Sequence, residues 1–228
     1  MQQKYAIITA GGSGLRMNSS LPKQFLPLHG KPILFHTISV FLRFSPDIHI
    51  ILVLPEEHRE RWKSLCSKHH FHPPITLAHG GPTRFHSVKN GLKYIPEDAL
   101  VAIHDGVRPL VSLRTIQQCF HIASKFGNAI PAVSINESVR LLEGAFSKVI
   151  SRDSIRLIQT PQCFLASKIK AAYNVNYDPS FTDDATVLEN NGERVYMVEG
   201  NKENIKITTP EELVIATSLM EYINKKED

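Results

Sequence analysis

The sequence predicts an α/β fold, a mostly parallel twisted sheet with helices on both faces. Three observations carry that expectation. The apolar runs Tyr5 to Thr9, Ile48 to Leu54 and Leu100 to Ile103 do not alternate with polar residues, as strands buried on both faces require. Between them lie segments of helical period, so strand and helix take turns and right-handed crossovers follow. The first run passes directly into Ala10-Gly11-Gly12-Ser13-Gly14-Leu15-Arg16-Met17, a loop whose bare amides can approach a ligand closely.

That loop is the stretch the rest of the chain serves. Successive backbone N–H groups around glycines form an anion nest, and Arg16 and Lys23, the latter in Pro22-Lys23-Gln24, set two fixed positive charges at its edge. A merely structural turn has no need of them. The dinucleotide fingerprint requires glycine or alanine where Met17 stands, and the Walker pattern requires a Gly-Lys-Ser/Thr that is absent. The loop therefore reads as a different cradle, one for a nucleoside triphosphate.

The remaining elements follow in order. Leu34, Ile38, Phe41 and Leu42 recur at three- and four-residue steps, giving a helix from Ile33 to Phe44 with one buried face. Strand Ile48 to Leu54 and a helix from Glu56 to His69 come next. Cys66, His69, His70 and His72 end that helix, but one Cys-x-x-His pair supplies two ligands where a closed zinc site takes four, so a polar helix end is the better account. A second double-glycine loop, His79-Gly80-Gly81-Pro82-Thr83-Arg84, enters a helix with Arg84 and Ser87 in its first turns, a candidate nucleotide contact. Ser87 reads equally as a plain capping serine.

Strand Leu100 to Ile103 delivers His104-Asp105-Gly106-Val107-Arg108-Pro109. Asp105 stands at the strand end where open α/β sheets bind ligands. His104 faces the opposite side, which rules out a dyad between the two. Arg108 is a candidate substrate contact and equally a partner of Asp105 that fixes the loop. After a helix from Leu113 to Lys125 and strand Asn128 to Ile135, two β-biased runs flank Glu143-Gly144 as a hairpin. This arm, about residues 136–153, exposes Leu and Val and needs a partner to cover it, so a homodimer is expected.

Leu157 to Phe164 returns to the sheet, a helix spans Ala166 to Asn174, and a last strand spans Arg194 to Val198. Thr182-Asp183-Asp184 is either a helix N-terminus or a ligand group. Lys206, between Ile205 and Ile207, points away from the core and requires an anion if it turns inward. A helix from Pro210 to about Asn224 closes what reads as a single domain over residues 1–228. The arrangement is Rossmann-like, with the β-hairpin arm protruding.

Composition bounds the function. Hydrophobic residues are 42% and charged residues 21%, ordinary for a globular chain. The net charge of +4 suits small anionic substrates, but the cations are scattered among acids, which excludes a nucleic-acid stripe. No apolar run is long enough to span a bilayer, and Met1-Gln2-Gln3-Lys4 has no apolar leader character. Three separated cysteines imply a reducing compartment. The expected location is the cytoplasm, with neither a membrane nor a nucleic acid as partner.

With no serine or cysteine elbow and no oriented histidine, the chemistry is charge management. A phosphate monoester is largely dianionic near neutral pH and needs no general base to attack; it needs repulsion cancelled and the leaving pyrophosphate stabilised. Mg²⁺ would bridge triphosphate oxygens, with Asp105 either reaching it through a water or holding the ribose.

The ordered motifs Ala-Gly-Gly-Ser-Gly-Leu-Arg-Met, Pro-Lys-Gln, Gly-Gly-x-x-Arg-x-x-Ser-Val, His-Asp-x-x-Arg-Pro, Thr-Pro-Gln, Thr-Asp-Asp and Asn-Ile-Lys-Ile-Thr resemble the 2-C-methyl-D-erythritol 4-phosphate cytidylyltransferases of the non-mevalonate isoprenoid pathway. The resemblance runs from Ala6 to about Thr217. It implies reaction of CTP with methylerythritol phosphate to give the CDP-alcohol and pyrophosphate. It further implies that Arg16 and Lys23 stabilise the transition state and that Arg152 and Lys206 position the attacking phosphate. By the same resemblance Ala10, Gly11, Gly12, Gly81, Ser87, Asp105 and Gly106 hold cytosine and ribose, with Gly14 in the same cradle. The resemblance also implies a dimer formed by the arm across which Ser138 and Arg152 would act, and Thr160 and Thr182 match further substrate-side positions. Pro82 stands where some members of the family carry an acid, and Gly106 stands where the resemblance gives an alanine. Ribitol 5-phosphate cytidylyltransferase, a nucleotide-sugar pyrophosphorylase and a non-catalytic CTP sensor are the rival readings.

Overall fold

The structure, a computed structural model, describes residues 2–12, 17 and 21–227, with side chains through residue 225. Strand β1 (Lys4–Thr9) is followed by a 3-10 turn at Lys23–Phe25, the short ladder β2 (Pro27–Leu28) and β3 (Lys31–Pro32), and helix α1 (Ile33–Phe44). Then come β4 (His49–Leu54), α2 (Arg59–Lys68), β5 (Ile75–His79), α3 (Arg84–Leu92), β6 (Leu100–Asp105), α4 (Leu113–Phe126) and β7 (Asn128–Ser134). A hairpin of β8 (Val139–Glu143) and β9 (Phe146–Ile150) precedes β10 (Arg156–Ile158) and β11 (Gln162–Leu165). Helices α5 (Ala166–Ala172) and α6 (Asp184–Asn190), β12 (Met197–Glu199) and α7 (Pro210–Glu227) complete the chain.

The sheet is α/β and mostly parallel, as expected. β1 lies at its centre, parallel to β6 on one side and β4 on the other, and β5 extends the sheet beyond β4. β11 runs antiparallel between β6 and β7, so the sheet is mixed at that side. β12 adds in parallel along the other edge of β7. β5 buries only Ala78, with Ile75 and Leu77 half-buried and Thr76 and His79 exposed, which hides it from a search for fully apolar runs.

Two expected strands take a different form. The return from Leu157 to Phe164 is broken in two, because Gln159–Pro161 leave the ladder between β10 and β11 and pairing with β7 resumes displaced by two residues. The last strand starts at Met197 rather than Arg194. Ahead of it the Asn128 side chain takes the place of a ladder, donating to Arg194 O (2.8 Å) and accepting from Tyr196 N (2.9 Å).

The non-alternating runs are explained by two cores. Ala6, Ile8, Ile50, Leu52 and Leu54 pack on the side of α1, α2 and α4, while Ile7, Ile51, Val53, Val101 and Ile103 pack on the side of α3, α5 and α6. The interior positions of β1, β4 and β6 are therefore apolar whichever way they point, up to the strand end at His104. A third cluster, with Met17, Leu28, Ile33 and Val107, seats Ile207 and Ala216 of the C-terminal region. His69 belongs to the first side, packed edge-on against Phe35 with ring centroids 5.7 Å apart, and Cys66 is buried.

Helix starts are locally encoded. Ser112 accepts from Thr115 N at 3.0 Å to cap α4, and Gly127 ends that helix in the left-handed region at φ +91°. Residues 139–150 form the hairpin as a sheet of their own, Glu143 pairing with Phe146 around Gly144-Ala145. Gly144, at φ +63°, occupies the first loop position, where a two-residue turn requires a residue free of a Cβ. Leu142, Phe146 and Val149 on this arm are 79%, 81% and 73% exposed, which no folded interior explains.

Candidate active site

Asp105, the last residue of β6, gathers three cations from separate segments. Its Oδ2 accepts from Lys206 Nζ at 3.0 Å and from Arg108 Nε at 3.3 Å, and its Oδ1 accepts from Arg84 Nε at 3.4 Å. Burial pushes this carboxyl up, but Arg84, Lys206 and Arg108 together outweigh it and hold the group well below the usual carboxylate range. Asp105 is thus an anion at neutral pH, and it is the counter-charge that an inward Lys206 requires. Arg108 also donates through Nη1 to Asn204 O (2.8 Å), so the loop-fixing reading of this residue is the one the geometry displays.

His104 holds the backbone behind this cluster. It is fully buried, and burial lowers its pKa to about 4, so the ring is neutral at pH 7. Its Nε2 lies 3.0 Å from Arg108 O, which can only accept, so Nε2 carries the proton. Nδ1 is then an acceptor, and Thr160 Oγ1, 3.0 Å away, donates to it. Thr160 Oγ1 in turn accepts from Asp105 N at 3.1 Å. This directed chain locks the strand end that presents Asp105 and Arg108. It also places Thr160 by the cleft through its hydroxyl, and His104 as packed rather than catalytic.

Two hollows meet at this cluster. One, of about 210 Å³, is walled by Ala10, Gly11, Gly12, Lys23, Gln24, Gly81, Pro82, Arg84, Ser87, Asp105 and Lys206. The other, of about 230 Å³, is walled by Arg84, Asp105, Arg108, Gln159, Thr160, Gln162, Thr182, Asp183 and Lys206. Arg84, Asp105 and Lys206 belong to both. A larger hollow of about 800 Å³ between α1 and α7 gathers no comparable set of mutually paired charges, so size alone does not find this site.

In the first hollow, Ser87 is buried and its Oγ accepts from Gly81 N at 3.0 Å, which ties the second glycine loop to α3. Gln24 Nε2 donates to Ala10 O (2.8 Å), anchoring the first loop where it leaves β1. Lys23 lies beside Gly12, where a Cβ would come within 3.1 Å of Lys23 Cε. Gly106 stands behind the wall, its N–H donating to Thr9 O at 2.9 Å, and so is not brought into the hollow. The departure from alanine there has a steric reason, since a Cβ would sit 3.0 Å from Thr9 O and 3.1 Å from Leu34 Cδ1. Gly14 and Arg16 lie outside the described residues.

Arg152 and Ser138 are exposed at the base of the arm and wall neither hollow within this chain; Arg152 Nη1 donates to Asn136 O. Thr-Asp-Asp divides its work three ways. Thr182 is exposed in the second hollow, Asp183 caps α6 by accepting from Thr186 N (2.9 Å), and Asp184 is fully buried. Sequence reasoning left Asp184 undecided and passed over Gln24, Gln162 and Asn204. Gln162 Nε2 donates to Asp183 Oδ2 (2.7 Å) and Asn204 Nδ2 donates to Thr160 O (2.8 Å). Each is a polar residue within a motif, but its partner is fixed only by tertiary contact.

A parallel strand end that presents glycine amides, several converging cations and one ionised carboxylate defines a nucleotidyltransferase. The sequence matches the family profile IspD, 2-C-methyl-D-erythritol 4-phosphate cytidylyltransferase, over residues 5–222. A 2-C-methyl-D-erythritol 4-phosphate cytidylyltransferase of Bacteroides thetaiotaomicron is 50% identical over 214 residues, covering 94% of this chain and 98% of the relative. One of Bacteroides fragilis is 51% identical over 215 residues, with the same coverages of 94% and 98%. The solved structure of 4-diphosphocytidyl-2C-methyl-D-erythritol synthase from Anaerococcus prevotii is similar at TM-score 0.82 and 30% identity, covering 96% of each chain. The chain belongs to the 2-C-methyl-D-erythritol 4-phosphate cytidylyltransferase family.

Proposed function

We propose that the protein transfers CMP from CTP to 2-C-methyl-D-erythritol 4-phosphate, releasing pyrophosphate, in isoprenoid precursor biosynthesis. The single observation that carries this reading is the pair of hollows sharing one wall of Arg84, Asp105 and Lys206. The nucleotide occupies the hollow with the two glycine loops, and the polyol phosphate occupies the hollow with Thr160 and Thr182. A phosphate oxygen of the acceptor forms a bond to the α-phosphorus of CTP. The bond from that phosphorus to the β-phosphate bridging oxygen breaks, and no proton has to move.

Lys23 faces the triphosphate from the glycine loop, with Arg16 as its companion by family resemblance. Lys206 reaches the incoming phosphate from the shared wall. Both offset repulsion between two anions at the moment they meet. Ser87 and Gly81 shape the base side. Arg152 and Ser138 serve the hollow of a partner subunit, and the exposed Leu142, Phe146 and Val149 supply the dimer contact.

The residues also fit a bound Mg²⁺. Asp105 is the acidic side chain in the nucleotide hollow among the described residues, and Mg²⁺ on a triphosphate takes one or two carboxylates and otherwise water and phosphate oxygens. When bound, the ion would withdraw negative charge from the triphosphate; Asp105, whose two oxygens already meet Arg84, Arg108 and Lys206, would reach it through a water. The three free cysteines support work in a reducing cytoplasm; no helix among the described residues is long and apolar enough to cross a membrane.

A pyrophosphate-release assay tests the reading. With CTP and Mg²⁺, methylerythritol phosphate should give turnover far above that with ribitol 5-phosphate. Release with ribitol 5-phosphate alone would overturn the substrate assignment.

A further inference from the structure

Asp184 walls neither hollow, yet it is the residue most tightly bound to one that walls both. It is fully buried, and its Oδ1 and Oδ2 accept from Arg84 Nη1 at 2.9 Å and Nη2 at 2.6 Å. Tyr173 OH donates to the same Oδ1 at 2.6 Å. Tyr173 is itself immobilised by stacking on Phe85, with ring centroids 4.6 Å apart and planes 20° from parallel. From Tyr173 through Asp184 the contacts run to Arg84 and on, through Arg84 Nε, to Asp105 Oδ1.

We infer that Asp184 is a positioning residue for cytidylyl transfer, gripping the guanidinium of Arg84 at both Nη atoms so that it keeps one orientation toward the two hollows. The inference rests on the function proposed above. A guanidinium has five N–H bonds, and this arrangement uses three of them. One N–H on each Nη is left for phosphate oxygens, in a fixed direction. Without the grip, Arg84 would be drawn onto Asp105, whose Oδ2 Arg108 and Lys206 already share. The cations that meet the phosphates would then rearrange together.

Fold stability is a poor reason for such a pair. Two charges taken out of water regain little more than their desolvation cost, and apolar replacements of similar volume often do as well. A planar two-point grip does fix direction, and misplacing a charge by about an ångström is enough to slow a reaction that depends on alignment.

The test compares wild type, Asp184→Asn, Tyr173→Phe, Arg84→Ala and the Arg84→Ala/Asp184→Asn double variant, by steady-state kinetics with CTP and methylerythritol phosphate alongside thermal melts. Asp184→Asn should lower kcat by about 10- to 100-fold while KM for CTP stays within about threefold, because orientation rather than ground-state binding is lost. Tyr173→Phe keeps the ion pair, guards against a folding failure in Asp184→Asn, and should lower kcat a few-fold. In the Arg84→Ala background, Asp184→Asn should change kcat by less than about twofold, since its effect passes through Arg84. Unchanged kcat in Asp184→Asn with only a lower melting temperature would overturn the inference, and so would losses that multiply in the double variant. An inactive wild type would instead overturn the proposed function.

Discussion

Arg84, Arg108 and Lys206 come from three distant segments and converge on one carboxylate, Arg84 at Oδ1 and the other two at Oδ2. At the scale of single residues the sequence disclosed these groups but not their relations. Asp105 was legible because a carboxylate after a buried run marks a strand exit, and Lys206 because two isoleucines flank it. The Asp184 grip on Arg84 was not legible, since it joins residues a hundred positions apart. Gln24 escaped for a similar reason: its Nε2 donates to a backbone carbonyl of the neighbouring loop. Lys23 carries the first residue-scale prediction. Lys23→Ala should reduce kcat by about 10²–10³-fold with an unchanged circular dichroism spectrum, because a preorganised charge is lost from the reacting phosphates. Near-normal turnover in that variant would remove Lys23 from the machinery.

Elements were read best where their signal is local. The helix Ile33–Phe44 follows from one apolar stripe, and the hairpin from two β-biased runs around a glycine that stands at φ +63°. The break between β10 and β11 and the late start of β12 escaped, because partners elsewhere in the fold set both. Gln159 N donates to Pro131 O (2.8 Å), and the Asn128 side chain occupies Arg194 and Tyr196. The arm makes an element-scale prediction. Leu142→Glu/Phe146→Glu places one charge on each exposed face of the arm and should shift the proposed dimer to monomer in sedimentation velocity. Activity should fall with the dimer fraction if Arg152 and Ser138 serve the neighbouring subunit. A wild type that sediments as a monomer at micromolar concentration would contradict the dimer.

For the molecule as a whole, the double-faced sheet was legible from the apolar strands alone, whereas its antiparallel members β10 and β11 were not, since strand direction leaves no mark on composition. Global stability should carry the imprint of His104. Its folded pKa is lowered from 6.5 to about 4, so between those values the unfolded chain takes up a proton that the folded chain refuses. Stability is therefore full above pH 6.5 and falls as pH drops toward 4, by roughly 3 kcal/mol at most. Asp105, whose folded pKa is depressed, adds a loss in the same direction but only below its ordinary pKa near 4. Urea midpoints measured from pH 7 to 4 should show a slope that flattens in His104→Asn; an identical slope in the variant would assign it to other groups. The reversed direction of β11 has a consequence of its own. Parallel neighbours deliver their exits to the cleft, whereas β11 delivers its entrance, so the segment 159–162 arrives at the same rim by a separate route from the glycine loops. On the function proposed, substitutions in that segment would retune which polyol phosphate is accepted while leaving the glycine loops untouched.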